Sequence, residues 1–158
     1  MNIALGSEHA GYKLKEEIKI FLTNSGHTCK DYGVHDKSPY DDYPFLAREV
    51  AEAVVKGKQE RGILICGTGQ GMCISANKVP GIRATLCNDL FSAKSARGHN
   101  DSNILVLGAR LIAAELACEI IKVWLETDFS GGRHARRLEK IKIIEQDILS
   151  GRYNKWKL

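Results

Sequence analysis

The stretch RGILICGTGQGMCISANK, Arg61 to Lys78, decides how the rest of the chain is read. Its apolar run, GILIC, is too short for a helix and ends at Cys66, which reads as a buried strand. Glycines follow at 67, 69 and 71, and a segment of helical character comes after them. A strand, a glycine turn and a helix in that order make the first half of a βαβ unit. Glycines there let the backbone approach something closely, and the first candidate is an anion.

Working outward, the same kind of run recurs at NIAL, IRATLC and NILVLG, with a weaker strand around HTCKDYG. Between the runs lie segments of helical period, such as Leu14, Ile18, Phe21 and Leu22, then Leu46, Val50, Ala53 and Val54. Further helices are predicted after Gly71, over DLFSAKSARG, and from Ile112 to about Glu126, where Ile112, Leu116, Ile120, Val123 and Trp124 share a face. Strand and helix alternate, and parallel strands need right-handed crossovers. The expectation is a single domain over residues 1–158, a three-layer α/β/α Rossmann-like sandwich on a five-stranded parallel sheet, closed by a C-terminal helix. GVHDKSPYDDYP, from Gly33 to Pro44, reads as a surface loop, and SGRYNKWKL at the end as an aperiodic tail.

Composition narrows the class. Apolar residues make up 44% and charged residues 27%, and no apolar run approaches the ~20 residues of a membrane span. MNIALGSEHAG begins as a strand and carries no signal-peptide pattern. Five cysteines in no C-x-x-C spacing suggest neither a disulfide framework nor a zinc ribbon, so a reducing cytoplasm is expected. The net charge of +4 is local, with eight Lys/Arg against three Asp/Glu from Ser130 to Leu158. Leu138, Ile141, Ile144 and Ile148 give that segment helical spacing, which favours a packed helix with a solvated charged face over a nucleic-acid tail.

Ligands of such sheets bind beyond the carboxyl ends of the strands. GSEHAG, CGTGQG, RGHND and GAR are the polar clusters assigned to that rim, and Arg133 and Arg137 stand four apart on one helical face, as two guanidiniums for a phosphate would. CGTGQG lacks the third glycine of a dinucleotide fingerprint and the G-K-[ST] of a P-loop. Asp89 nevertheless stands where a ribose-binding acid would, so a nucleotide module and a plain tight turn both stay open. As chemistry, the loop offers backbone N–H groups and the Thr68 hydroxyl to an oxyanion. Cys66 beside a helix start could serve as thiolate base or nucleophile, although a lone cysteine is more often a small buried hydrophobe. His99 and Asn100 follow a helix and precede a strand, and His9 and Arg110 sit in the other clusters, where surface ion pairs are the alternative. The histidines show no metal-ligand spacing, so neither metal nor cofactor is expected.

Together GSEHAG, DYP, GILICGTGQGMCISANKVPGIRA, RGHNDSN and GGRHARR resemble the type B ribose-5-phosphate isomerases over nearly the whole chain. The resemblance implies interconversion of ribose 5-phosphate and ribulose 5-phosphate through a cis-enediolate, a step of the pentose phosphate pathway. It implies Cys66 as base, Gly67, Thr68, Gly69, Gln70 and Gly71 around the enediolate oxygen, and His99 as proton donor in ring opening. Asn100 would contact sugar oxygens, and His9, Arg110, Arg133 and Arg137 the phosphate, in sites shared by two chains of a homodimer or a dimer of dimers. Glu8 stands where the family usually has Asp, among the contacts to substrate hydroxyls. That departure leaves a six-carbon substrate, allose or galactose 6-phosphate, as the alternative, beside a catalytically silent oligomeric partner.

Overall fold

Runs such as Ile63–Ile65 and Ile104–Leu107 are fully buried, which is what strands covered on both faces require. In the computed structural model, which describes residues 1–33 and 42–152, five parallel strands form one sheet in the order β2-β1-β3-β5-β4. The strands are β1 (Asn2–Ser7), β2 (Thr28–Asp31), β3 (Arg61–Cys66), β4 (Ala84–Leu86) and β5 (Ile104–Gly108). Six helices are described: α1 (Tyr12–Asn24), α2 (Tyr43–Val55), α3 (Gln70–Ala76), α4 (Leu90–Gly98), α5 (Ala114–Glu126) and α6 (Arg133–Leu149). The loop expected over Gly33–Pro44 falls mostly on residues 34–41, outside the described residues, as do residues 153–158 of the tail; Tyr43 and Pro44 instead open α2.

Period-2 alternation splits the core. Ile3, Leu5, Ile63, Ile65, Leu105 and Leu107 pack under α1, α4 and α5, whereas Ala4, Leu64, Ile104 and Val106 pack under α2 and α3. The expected α/β/α layering is therefore present, and among the described residues no helix is long and apolar enough to cross a membrane.

Two expectations need correction. The long helix starts at Ala114, not Ile112, because residues 108–112 form a turn in which Leu111 N–H donates to the Gly108 carbonyl at 2.9 Å. Its buried face is Ala117, Ile120, Ile121 and Trp124, while Leu116 is exposed. The last helix is not packed: no residue of α6 is buried, and Ile141, Ile144 and Ile148 lie open to solvent. Its periodicity does mark an apolar face, but the chain reaches α6 only after leaving the sandwich, and α6 touches the body where Glu145 accepts the Gly81 N–H at 2.9 Å.

The edge strand β2 is short and is held by charge. Buried Lys15 donates to Asp31 at 2.7 Å and Lys19 does so at 3.2 Å, while the Gly33 N–H donates to the other carboxylate oxygen at 2.9 Å. Half-burial alone would raise the Asp31 carboxyl, but the Lys15 bond, Gly33 and Lys19 together pull it below its usual value. A group depressed in the folded state contributes stability present above its unfolded value of about 4 and lost as pH falls through the folded value. Asp31→Asn should accordingly lower stability at pH 7 and flatten the acid side of the stability profile, which urea melts at pH 7 and pH 3 would read.

Candidate active site

Cys66 is the last residue of β3 and only partly buried, at the point where the chain turns into α3. The other four cysteines are each raised by burial, Cys87 to about 11, and the Cys73 thiol donates to the Ala84 carbonyl at 3.5 Å. The turn depends on Gly69, whose φ of +80° is a left-handed conformation that caps α3. A Cβ there would also run into Leu86 and come within 3.2 Å of the Leu107 carbonyl oxygen. Gly69→Ala should therefore cost both stability and turnover, by about 1–3 kcal/mol of backbone strain alone; thermal melts and initial rates check this.

Around the turn gather residues from the segments that follow β1 and β5, and from α2. Gly67 is overlaid by Arg110, since a Cβ on Gly67 would lie 3.2 Å from its Nε and 3.3 Å from its Cζ. The Arg110 N–H donates to the Gly67 carbonyl at 2.9 Å, and the Ala109 N–H to that of Cys66 at 2.8 Å. Thr68 is exposed, with its carbonyl oxygen 3.0 Å from where a Gly108 Cβ would stand. Glu8 is buried, and its Oε1 accepts the Gly67 N–H at 3.1 Å, so that this amide is already engaged. Half-exposed His9 places Nδ1 2.9 Å from Glu8 Oε2. Tyr43, from the DYP stretch, packs against the turn as well: a Gly71 Cβ would be 2.7 Å from its Cε2 and 3.1 Å from its hydroxyl. Asp89 accepts the Ser92 N–H at 2.8 Å as the N-cap of α4, which gives it a structural use in place of a ribose.

His99, Asn100, Arg133 and Arg137 are elsewhere. The single rim expected for all the polar clusters is wrong, because a residue after α4 and before β5 must lie at the amino ends of the strands. Arg83, just ahead of β4, donates from Nε to the carbonyls of Asn100 and Asp101 at 3.2 and 2.9 Å. At roughly 3.3 Å per residue, the length of β3 keeps this end about 17 Å from Cys66. The opening of α6 joins it: Ser130 N–H donates to the Gly98 carbonyl at 2.9 Å, and the His134 and His99 rings stack with centroids 4.4 Å apart and planes 2° from parallel. Burial, then His99, Arg133 and Arg137, lower the His134 pKa. A cleft of about 280 Å³ opens beside His99, lined by Phe91, Lys94, Ser95, Gly98, Thr127 and Ser130.

This end is tightly tied. Asp101 adopts φ +45° and its carboxylate accepts from Arg83 at 2.8 Å and Arg97 at 2.7 Å. Arg97 is itself buried and also donates to the Ser102 carbonyl, while the Trp124 indole donates to the Ser102 hydroxyl at 2.7 Å. Among the described residues no group of three or more His, Cys, Asp and Glu is arranged to hold a metal ion.

Residues 3–141 fit the model of the Ribose/Galactose Isomerase family, and the chain belongs to that family. It is 46% identical over 145 residues to D-erythrulose-4-phosphate isomerase of Pectobacterium atrosepticum, covering 92% of this chain and 95% of that one. The structure of ribose-5-phosphate isomerase B from Clostridium thermocellum superposes with a TM-score of 0.91 at 49% identity, over 94% of this chain and 99% of the other. That of the Mycoplasma genitalium ribose-5-phosphate isomerase B with bound ribulose 5-phosphate gives 0.89 at 39% identity, over 92% and 97%.

Proposed function

We propose that the chain interconverts ribose 5-phosphate and ribulose 5-phosphate. The observation that carries this reading is the position of Cys66, a half-buried thiol at the end of the central strand, on a turn held open by left-handed Gly69 and flanked by Arg110. In the open-chain aldose, the Cys66 thiolate takes the C2 proton, the released electron pair forms the C1=C2 bond, and the charge moves onto O1. Thr68 and the amides of Gly69, Gln70 and Gly71 stabilise that enediolate oxygen. Transfer of the O2 proton to O1 and return of the thiol proton to C1 leave the ketose and regenerate the thiolate. His99 donates the proton that opens the furanose ring, Asn100 holds sugar oxygens, and His9, Arg110, Arg133 and Arg137 take the phosphate.

These residues can act on one sugar only if the carboxyl end of one chain meets the amino end of another, so the working unit is a homodimer. The separation of the two groups within a chain supports this, as does the open apolar face of α6. The five free thiols are in keeping with a cytoplasmic protein.

The resemblance to an erythrulose-4-phosphate isomerase favours a second reading, in which a four-carbon sugar phosphate is the better substrate. Assaying ketose formation from four-, five- and six-carbon aldose phosphates tests both. The pentose should give the highest kcat/KM; a preference for another chain length replaces the substrate, and no turnover of any of them overturns the isomerase reading.

A further inference from the structure

Glu8 lies beside the Cys66 turn, yet its carboxylate is engaged on the protein side. Its side chain is 7% exposed, with Oε1 accepting the Gly67 N–H at 3.1 Å and Oε2 accepting the Ala10 N–H at 3.0 Å. The same Oε2 is 2.9 Å from Nδ1 of His9, whose side chain is 47% exposed. A carboxylate with three donors has most of its acceptor capacity filled. Swinging it toward a sugar hydroxyl would strip partners from the Gly67 amide, which is buried, and from the Ala10 amide, and an unsatisfied buried donor is costly. The imidazole is placed the other way round: with Nδ1 held by the carboxylate, Nε2 is the ring nitrogen left for a ligand.

We propose that Glu8 is a positioning residue that acts through His9 and Gly67 without touching the sugar, fixing the imidazolium so that its Nε2–H donates to the substrate phosphate. It also keeps the Gly67 amide out of enediolate binding, so the donors of the turn begin at Thr68. The idea rests on the assignment of His9 to the phosphate.

Inorganic phosphate, which carries the charge of the substrate and none of its hydroxyls, separates the two roles. Glu8→Gln keeps the side-chain shape but replaces one acceptor oxygen with a donor NH2, and charge-assisted bonds of this kind are worth about tenfold in binding. The expected result is that KM for the sugar phosphate and the inhibition constant for inorganic phosphate rise by the same factor, about tenfold, with kcat changed less than about threefold. In a His9→Gln background, Glu8→Gln should add less than about twofold, since residues acting as a unit are not additive. Should Glu8→Gln fail to fold, Glu8→Asp shortens the same arm and is read by the same ratio. A rise in KM with phosphate inhibition unchanged would mean that Glu8 touches sugar hydroxyls, and would overturn the proposal while leaving His9 at the phosphate. Phosphate inhibition unmoved by His9→Gln alone would overturn both.

Discussion

Cys66→Ala should lower kcat for ketose formation by about 10²–10⁴-fold, the usual worth of a positioned general base. Substrate binding and Tm should barely move, because in the proposed mechanism the thiolate is needed only as the C2 proton leaves, and the side chain is only partly buried. No other thiol can take over. Cys87 is pushed up to about 11 by burial, and Cys29, Cys73 and Cys118 are raised for the same reason. Cys66→Ser should be nearly as poor, since a serine hydroxyl is a far weaker acid than a thiol. Calorimetric binding together with initial rates separates the two steps, and retention of most turnover in Cys66→Ala would move the base to another residue.

Arg137→Ala, and likewise Arg133→Ala, should raise KM for the phosphorylated sugar by about ten- to a hundredfold, from lost charge-assisted bonds of roughly 1.5–3 kcal/mol. The larger effect appears on mixing. If each site draws Cys66 from one chain and Arg137 from the other, a heterodimer of Cys66→Ala with Arg137→Ala subunits carries one site with both defects and one with neither. Random exchange makes half the dimers of this kind, so at substrate well below KM, where both stocks are nearly inactive, activity should return to about a quarter of the wild-type value. Failure to recover after exchange verified by mass spectrometry would put Cys66 and Arg137 of one chain in the same site.

The strands were legible because those between the two helical layers have to be apolar on both faces, as Ile63–Ile65 and Leu105–Leu107 are. β2 reads more weakly for the complementary reason that it lies at an edge, is partly exposed, and depends on Lys15 and Asp31. The glycine turn was also readable, since the spacing of Gly67, Gly69 and Gly71 after Cys66 has few uses other than close approach, and Gly69 does take the left-handed conformation. The location of His99 was misread although the signal was present: in an alternating parallel fold, a residue between a helix and the next strand belongs at the amino end. The exposure of α6 could not be read, because periodicity reveals an apolar face and says nothing of what lies against it. Tyr43 and the inward Glu8 escaped for a related reason, being defined by contacts between segments distant in sequence.

Asp101 gives the two-ended arrangement a further meaning. Its left-handed backbone and its two arginine partners anchor the segment that carries His99 and Asn100, at the far end of the sheet from its own Cys66. If the site is shared between two chains as proposed, damage at this anchor would be felt by the neighbour: the polypeptide bearing the lesion would keep a sound cysteine turn, while the catalytic fault would surface on its unaltered companion. A defective copy would then silence a site whose cysteine turn belongs to a healthy copy, so its dose in a mixed population would count across both polypeptides of each pair.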